Sequence, residues 1–270
     1  MKNTKKIKNC FLWALFATFC SCNADAILFD EFRKEKQQEM HDDTPQIKMT
    51  FTGSQITIHL IGDGSASIDW GDGMQTITLA AHFHETECKK EYPDATDRTI
   101  IISGDHITGL ICNGNQLTEL EVSDNPALTL LFCSDNALTV LNIGANTALK
   151  ELQCDNNQLT EIIANHNTAL EILNCSVNQL SSLSVSNNTA LKWLIFADNQ
   201  ITNLNLSSNT ALSLIDCQNN QFSDFQLNSL FDSLHGNTVD GGKSILISGN
   251  AGAAACNKSI AENKGWIVER

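Results

Sequence analysis

The chain has 270 residues, of which 42% are hydrophobic, and its formal net charge at pH 7 is −14. This length is sufficient for one sizeable domain or for two small domains and a leader. An acidic chain is repelled by phosphate backbones and by anionic lipid surfaces, so the charge argues against nucleic-acid binding.

The first 22 residues are typical of an export signal. A basic stretch, MKNTKKIKN, precedes the apolar run CFLWALFATFC, which is too short to span a bilayer. Cys22, which follows the small residue Ser21, resembles the lipidated cysteine of bacterial lipoproteins, although Phe19 stands where leucine is usual. The segment Ala24-Asp25-Ala26 offers an alternative A-x-A cleavage site. We therefore predict an exported protein of the outer membrane or cell surface, with membrane contact only through an N-terminal lipid anchor.

Residues 23–44 are charged and lack glycine, which indicates a solvated tether. Residues 45–104 alternate apolar and polar positions, and their Gly-Asp-Gly segments predict the turns of antiparallel β hairpins. The stretches IDWGDG at 68–73 and RTIIISG at 98–104 resemble a shortened PKD-like or Ig-like β-sandwich of bacterial surface proteins. We expect this small domain to shield the open edge of the segment that follows it.

Two groups of side chains in this region raise the question of a metal. Three aspartates could suggest calcium: Asp63, Asp69 and Asp72. Their spacing fits no EF-hand loop, and Gly-Asp-Gly is more common as tight-turn chemistry. His82 and His84 share one face if the chain is extended there, with Cys88 nearby, which is weak evidence for zinc. We predict no metal and no cofactor.

From residue 107 onward the sequence repeats every 21 residues. The six coils begin at Ile107, Leu128, Leu149, Leu170, Leu191 and Leu212. Each follows L-x-x-L-x-C-x-x-N-x-L, and one asparagine column comprises Asn115, Asn136, Asn157, Asn178, Asn199 and Asn220. A second column comprises Asn125, Asn146, Asn167, Asn188 and Asn209. Such self-similarity predicts a solenoid of stacked parallel strands, in which the asparagines hydrogen-bond backbone groups at the turns.

This pattern is that of leucine-rich repeats, and a 21-residue coil with a cysteine column resembles the internalin-type cell-surface proteins of bacteria. The resemblance implies a mainly β fold, with the repeats over residues 105–225 forming a solenoid with a parallel β ribbon. A small β-sandwich-like domain over 45–104 would precede the repeats, and an α/β cap over 226–270 would follow them. The resemblance also implies adhesion or contact with a host protein.

The cysteine column could bind metal, form disulfides or fill space. Parallel strands about 4.8 Å apart point their cysteines in one direction, which argues against converging metal ligands and leaves the Cβ atoms too far apart for a bridge. Phe196 occupies one position of the column, and a phenylalanine can neither bind a metal nor form a disulfide. We predict a structural ladder of buried free thiols: Cys112, Cys133, Cys154, Cys175, Phe196 and Cys217. The state of Cys88 and Cys256 is left open.

The C-terminal segment shows the features of a terminal cap. DFQLNSLFDSLHG has a helical rhythm that ends at Gly236, SILISGN imitates one more strand, and CNKSIAENKGWIVER predicts a short helix and a final strand. The segment GNTVDGGKS resembles a phosphate loop. Asn237 stands where that motif requires glycine, and a strand rather than a helix follows, so we reject nucleotide binding.

No arrangement of residues supports catalysis, and function is therefore expected on the solvent side of the coils. The outward positions of the second half-coils are mostly polar, from Glu119 to Asp224 and Gln226, and indicate a solvated wall. The outward positions of the cysteine-bearing strands mix apolar, aromatic and polar side chains: Ile111, Leu130, Phe132, Glu151, Gln153, Ile172, Asn174, Trp193, Ile195, Leu214 and Asp216.

An exposed row that contains Trp and Phe is typical of a binding surface. Ile172, Trp193 and Leu214 are consecutive in the stack and form a stripe across about 10 Å. We predict a non-enzymatic surface protein that binds another protein, or mediates adhesion, through this face. The alternative is glycan binding, in which a sugar stacks on Trp193 and hydrogen-bonds Asn174 and Asp216.

Overall fold

The computed structural model describes residues 44–79 and 84–270. The predicted export signal with Cys22, the predicted tether up to residue 43, and His82 lie outside the described residues. Pro45–Arg270 is one compact unit. Within the described ranges, no helix combines the length and the hydropathy that a membrane crossing requires.

Six strands precede the coils: β1 (Gln46–Thr52), β2 (Gln55–Gly62), β3 (Ser65–Asp69), β4 (Met74–Thr78), β5 (Thr86–Glu91) and β6 (Asp97–Ser103). Their apolar residues alternate with polar ones, so that each strand presents one face to the core. In β1, for example, Ile47, Met49 and Phe51 are completely buried. The strands divide between two sheets, with the order β4-β3-β6-β1 in one and the pair β2-β5 in the other.

The coils contribute seven strands: β7 (Ile107–Ile111), β8 (Leu117–Glu121), β9 (Leu130–Phe132), β10 (Glu151–Gln153), β11 (Ile172–Asn174), β12 (Trp193–Ile195) and β13 (Leu214–Asp216). Apart from β8, these strands stack in parallel, each in register with the strand of the next coil. A single coil cannot bury its leucines, and stacking joins them into one continuous core. The predicted leucine-rich-repeat solenoid with a parallel ribbon is confirmed.

The C-terminal cap continues this ribbon beyond the six predicted coils. It consists of α1 (Asp224–Ser233), β14 (Lys243–Leu246), α2 (Ser259–Glu262) and β15 (Trp266–Glu269). Strands β14 and β15 pair in parallel with β13 and with each other, so the ribbon has eight parallel strands. Helix α1 begins with a capping box, in which Ser223 accepts from the backbone N–H of Gln226 and the Gln226 side chain accepts from that of Ser223.

The N-terminal strands pair directly with the first coil. β2 runs antiparallel to β7, with His59 opposite Ile111, and β1 runs antiparallel to β8, with Lys48 opposite Glu121. The ten-stranded sheet therefore has the order β15-β14-β13-β12-β11-β10-β9-β7-β2-β5. Backbone hydrogen bonds from the leading segment thus cover the open edge of the first coil.

One of the predicted hairpins is wrong. Gly71-Asp72-Gly73 does join the paired strands β3 and β4. Gly62-Asp63-Gly64, however, joins β2 to β3, which lie in different sheets. The alternation of apolar residues specifies which face of a strand is buried but not which strand pairs with it. β2 and β3 both bury their apolar faces, yet they belong to different sheets.

Each coil leaves its ribbon strand through one residue in the left-handed region. The residues at this position are Gly114 (φ 66°), Asp135 (57°), Asn156 (53°), Val177 (51°), Asp198 (56°) and Asn219 (50°). After β14, Gly249 holds the same position at φ 74°. Gly, Asn and Asp visit this conformation readily, whereas a β-branched residue does not.

The asparagine columns join neighbouring coils at the turns, as predicted. In the first column, Asn157 donates from Nδ2 to the carbonyl oxygens of Cys133 (3.0 Å) and Cys154 (3.1 Å), while its Oδ1 accepts from the backbone N–H of Leu138 (3.0 Å). In the second column, the Nδ2 of Asn167 donates to the carbonyl oxygens of Ile143 (2.9 Å) and Asn146 (2.8 Å). These amides pair backbone groups that the turns leave without a strand partner.

Candidate functional site

We term the outward side of β7 and β9–β15 the ribbon face. Strand register arranges its side chains in two columns. The first column comprises Gly109, Leu130, Glu151, Ile172, Trp193, Leu214, Ser244 and Ile267. The second comprises Ile111, Phe132, Gln153, Asn174, Ile195, Asp216, Leu246 and Glu269. All eleven residues singled out from the sequence lie in these columns and are partly or largely accessible.

Sequence reasoning missed the part of the ribbon face that the cap supplies. Ser244, Leu246, Ile267 and Glu269 continue the two columns, and Ile267 is 63% exposed. The signal was present in the strand-like SILISGN and in WIVE. Aligning the asparagine of SILISGN with the first asparagine column would have placed β14 in register with β13.

The apolar stripe on the ribbon face is continuous. Ile172 pairs with Trp193, and Trp193 pairs with Leu214, so the three side chains lie side by side on consecutive strands. Trp193 is 46% exposed, while its two neighbours are half-buried. β12 is only three residues long and pairs with a strand on each side, which fixes the position of Trp193 between Ile172 and Leu214.

The polar side chains beside this stripe are held by local hydrogen bonds. Asn174 donates from Nδ2 to Oδ1 of Asp155 (2.9 Å), and its own Oδ1 accepts from the backbone N–H of Ser176 (3.2 Å). Asp216 accepts from the backbone N–H of Gln218 (3.1 Å). Partial burial raises the pKa of Asp216; the Gln218 hydrogen bond opposes this effect, and the nearby Asp198 reinforces it.

A shallow, open cleft of about 350 Å³ lies beside Trp193, where the ribbon meets the cap. Its lining includes Trp193, Ser213, Asp240, Ser244, Ile267 and Glu269. Lys243 also lines it, but its Nζ donates to the backbone oxygens of Asn237 (2.7 Å) and Lys264 (2.7 Å). Burial lowers the pKa of Lys243. The segment that imitates a phosphate loop therefore leads into a strand, β14, with its lysine engaged by backbone carbonyl groups.

The cysteine ladder lies directly behind the ribbon face. Its six members are completely buried and stacked coil upon coil: Cys112, Cys133, Cys154, Cys175, Phe196 and Cys217. The five thiols are free, and Cys217, for example, donates to the carbonyl oxygen of Leu246 (3.1 Å). Burial, reinforced by the charge of Asp155, raises the pKa of both Cys133 and Cys175 to about 12. A thiol in this environment packs as a small apolar side chain and is chemically unreactive.

These coils, their parallel ribbon and their asparagine and cysteine columns decide the fold. It is a leucine-rich-repeat solenoid with internalin-like coils.

Comparison with solved structures finds similarity to bacterial repeat proteins. The functional domain of InlJ from Listeria monocytogenes, described as including a cysteine ladder, aligns with 33% identity and a TM-score of 0.48 over 56% of this chain and 32% of that one. The internalin InlF from the same organism aligns with 23% identity and a TM-score of 0.42 over 47% and 37%. A leucine-rich-repeat protein of Leptospira interrogans aligns with 16% identity and a TM-score of 0.38 over 55% and 44%. This chain thus spans less than half the length of each of the three. No protein-family model and no curated protein matches it.

The aspartates considered for calcium do not converge in the structure. Asp63 pairs with His106 (Oδ1 to Nδ1, 3.3 Å), and Asp72 pairs with Lys90 (Oδ2 to Nζ, 2.7 Å). Asp69 accepts from the backbone N–H of Gly71 (2.9 Å), as in an ordinary turn.

The thiol considered for zinc is buried in the N-terminal sheets. Burial, reinforced by the charge of Glu87, raises the pKa of Cys88 to about 11. Within residues 44–79 and 84–270, no group of three or more His, Cys, Asp or Glu side chains is arranged to hold a metal ion.

Proposed function

We propose that this leucine-rich-repeat protein is a non-enzymatic cell-surface protein that binds another protein through the ribbon face. One observation carries the proposal: Trp193 is 46% exposed and has Ile172 and Leu214 in register on either side. An aromatic anchor within an apolar stripe is characteristic of protein interfaces, because burying it against a partner releases water from a large apolar surface. Adhesion is the role that the internalin-like repeats suggest for such binding.

The opposite wall of the coils supports this assignment by contrast. Its exposed side chains are mostly polar: Glu119, Glu121, Glu161, Ser182, Ser184, Asn203 and Asn205. The two apolar exceptions, Val140 and Ile163, occupy different columns and do not form a stripe. Asp224 and Gln226, which the repeat register assigns to this wall, belong instead to α1, where the capping box starts a helix.

The proposal includes export and an N-terminal lipid anchor at Cys22. Mass spectrometry of the native N-terminus measures this directly. Cleavage before Cys22 with an added diacylglyceryl group is the expected result, and cleavage after Ala26 would contradict lipidation.

The binding proposal is tested by capturing partners with the full chain and with two variants. Trp193→Ala is expected to weaken the captured complex by about 2 kcal/mol or more, which corresponds to roughly thirtyfold in Kd. Val140→Ala removes another exposed apolar side chain, 73% accessible on the opposite wall, and is expected to leave the affinity unchanged. Equal binding by the wild type and Trp193→Ala, with Phe132→Ala also silent, would contradict the assignment.

Glycan binding is the second candidate, and the cleft beside Trp193 is the observation that favours it. A sugar could stack on the indole ring and hydrogen-bond the hydroxyls of Ser213 and Ser244. Asn174 and Asp216 are less suited to this role than their sequence positions suggested, because local hydrogen bonds already engage both. On a glycan array, a sugar ligand should be lost with Trp193→Ala and retained with Leu130→Ala, whereas a protein ligand should respond to both changes.

A further inference from the structure

The ribbon face is flanked on one side by a row of carboxylates. We term this row the exit rim, because its members lie at the end of the ribbon strands or in the turns that leave them: Asp135, Asp155, Asp198 and Asp216. The other turn positions in β9–β13 coils are occupied by uncharged residues: Ser134, Asn156, Ser176, Val177, Ala197, Gln218 and Asn219. The row thus carries four carboxylates and no basic residue at these positions, and the β11 coil alone among the five contributes no carboxylate.

The carboxylates of the exit rim hydrogen-bond uncharged donors. Asp155 accepts from the hydroxyl of Ser134 (2.6 Å) and from Nδ2 of Asn174 (2.9 Å). Asp198 accepts from Nδ2 of Asn219 (2.9 Å), and Asp135 from Nδ2 of Asn156. Among the described residues, none of the rim carboxylates forms a salt bridge with Lys, Arg or His. These bonds fix the carboxylates in place but leave their negative charge uncompensated.

The opposite, entry side of the ribbon differs in charge. It carries Lys150 and Lys192, of which Lys192 pairs with Glu171 of the preceding coil. Apart from Asp216, which already belongs to the exit rim, the two columns between these sides contain the acids Glu151 and Glu269 and no basic residue. The potential across the face therefore becomes more negative from the entry side to the exit rim.

We infer that the partner of the ribbon face is a protein segment that is both basic and apolar. Its apolar side chains pack on Ile172, Trp193 and Leu214, and its Lys or Arg side chains lie along the exit rim. The inference rests on the proposed function and adds the partner's chemistry and orientation to it. Charge complementarity of this kind steers association and excludes wrongly charged partners. A second copy of this chain, with a net charge of −14, would be repelled.

The test measures binding of the full chain to synthetic peptides of equal length by fluorescence anisotropy. Three peptide classes separate the two properties: apolar with several Arg, apolar with the Arg replaced by Glu, and Arg-containing with the apolar residues replaced by Ser. Only the first class is expected to bind well. Its affinity is expected to fall as NaCl rises from roughly 0.05 to 0.5 M, because the rim charges are solvent-accessible and screened.

Charge-neutralising variants locate the effect on the exit rim. Asp155→Asn with Asp198→Asn retains an acceptor oxygen at each position and is expected to weaken the apolar Arg peptide about fivefold at low salt. Glu161→Gln with Asp124→Asn removes the same charge from exposed positions outside the ribbon face and is expected to leave binding unchanged. Trp193→Ala tests the proposed function separately and should weaken binding in all conditions.

The outcomes distinguish the two claims. Equal binding of the Glu and Arg apolar peptides, or equal effects of the rim and control pairs, overturns the inference; a loss with Trp193→Ala would still support the proposed function. If Trp193→Ala leaves the affinity for the apolar Arg peptide unchanged, the proposed function is overturned, because charge alone then accounts for the binding. If no peptide binds below about 1 mM, the inference is overturned, whereas the proposed function is still decided by partner capture with Trp193→Ala.

Discussion

In the turn that follows each ribbon strand, one residue adopts the left-handed backbone conformation, which favours Gly, Asn and Asp. Five of the six turns before the cap have one of these residues at that position. The fourth has Val177, at φ 51° and 45% exposed. The β-branched side chain crowds the backbone in this conformation and gains little from burial, so Val177 is a point of local strain.

Val177→Asn is expected to stabilise the protein by about 1 kcal/mol, because asparagine tolerates the left-handed conformation that strains valine. The measurement is the free energy of unfolding in urea. The converse change in the preceding coil, Asn156→Val, is expected to destabilise by more than this amount, because it also removes the hydrogen bond from Asn156 to Asp135. A loss of stability in Val177→Asn would show that contacts of the valine outweigh the backbone strain.

Among the elements, the cap is held to the ribbon by a cluster around Trp266. The indole Nε1–H donates to the carbonyl oxygen of His235 (3.0 Å), and the His235 ring packs edge-on against the indole at 5.4 Å. Lys243 places its ammonium 5.4 Å from the centre of the same ring. Helix α1 adds Leu227, Leu230 and Phe231, all completely buried, each of which stabilises the fold by about 2 kcal/mol. The altered end of the solenoid is thus sealed by an apolar and aromatic contact.

The imidazole of His235 forms its hydrogen bonds in the neutral form. Its Nε2 contacts the carbonyl oxygen of Leu212 (2.8 Å), and its Nδ1 accepts from the backbone N–H of Asn237 (3.1 Å). Burial lowers the pKa of His235 below 6.5 and the charge of Lys243 adds to this effect, while the Leu212 hydrogen bond opposes it.

The imidazole of His235 therefore binds a proton less tightly in the folded protein than in the unfolded chain. Stability from this group is present above pH 6.5 and is lost as the pH falls through the depressed folded-state pKa. Urea midpoints measured from about pH 7.5 to 5 should decline more steeply for the wild type than for His235→Gln. Parallel profiles for the two proteins would mean that His235 does not contribute to the pH dependence.

At the scale of the whole molecule, the N-terminal strands and the coils share two sheets and one core. β1 and β2 pair with strands of the first coil, and apolar contacts continue from Ile47 to Trp266 without interruption. Such an arrangement couples the leading segment to the solenoid through both backbone hydrogen bonds and packing. We expect the two parts to unfold together.

Trp70 and Trp266 report on the two ends, since the core buries both indoles almost completely. In variants that retain only one of the four tryptophans, either Trp70 or Trp266, fluorescence-monitored urea unfolding should give the same midpoint. Leu60→Ala, at a fully buried position of β2, is expected to lower both midpoints, at a cost of about 3 kcal/mol. Two separate transitions, with only the Trp70 signal responding to Leu60→Ala, would show that the leading segment is an independent domain.

The sequence alone predicted the coil length, the buried columns and the outward positions of the ribbon strands. It could do so because each position recurs every 21 residues, and identical coils stack in register only when equivalent side chains lie above one another. Trp193, Ile172 and Leu214 were therefore placed side by side before any tertiary contact was known. The asparagines recur with the same period, so the sequence also placed them in columns at the turns.

Only the tertiary structure decided the features that lie outside the repeat. Alternation in β2 and β3 specified buried faces but not partners, and the assignment of these two strands to different sheets depended on packing against β7 and β6. In the cap, the asparagine of SILISGN gives the register of β14, but the pairing of β15 and the cleft beside Trp193 have no such signal in the sequence. Without a repeat to fix their register, strand partners are chosen by which apolar faces can be buried together, and that choice is made across the whole molecule.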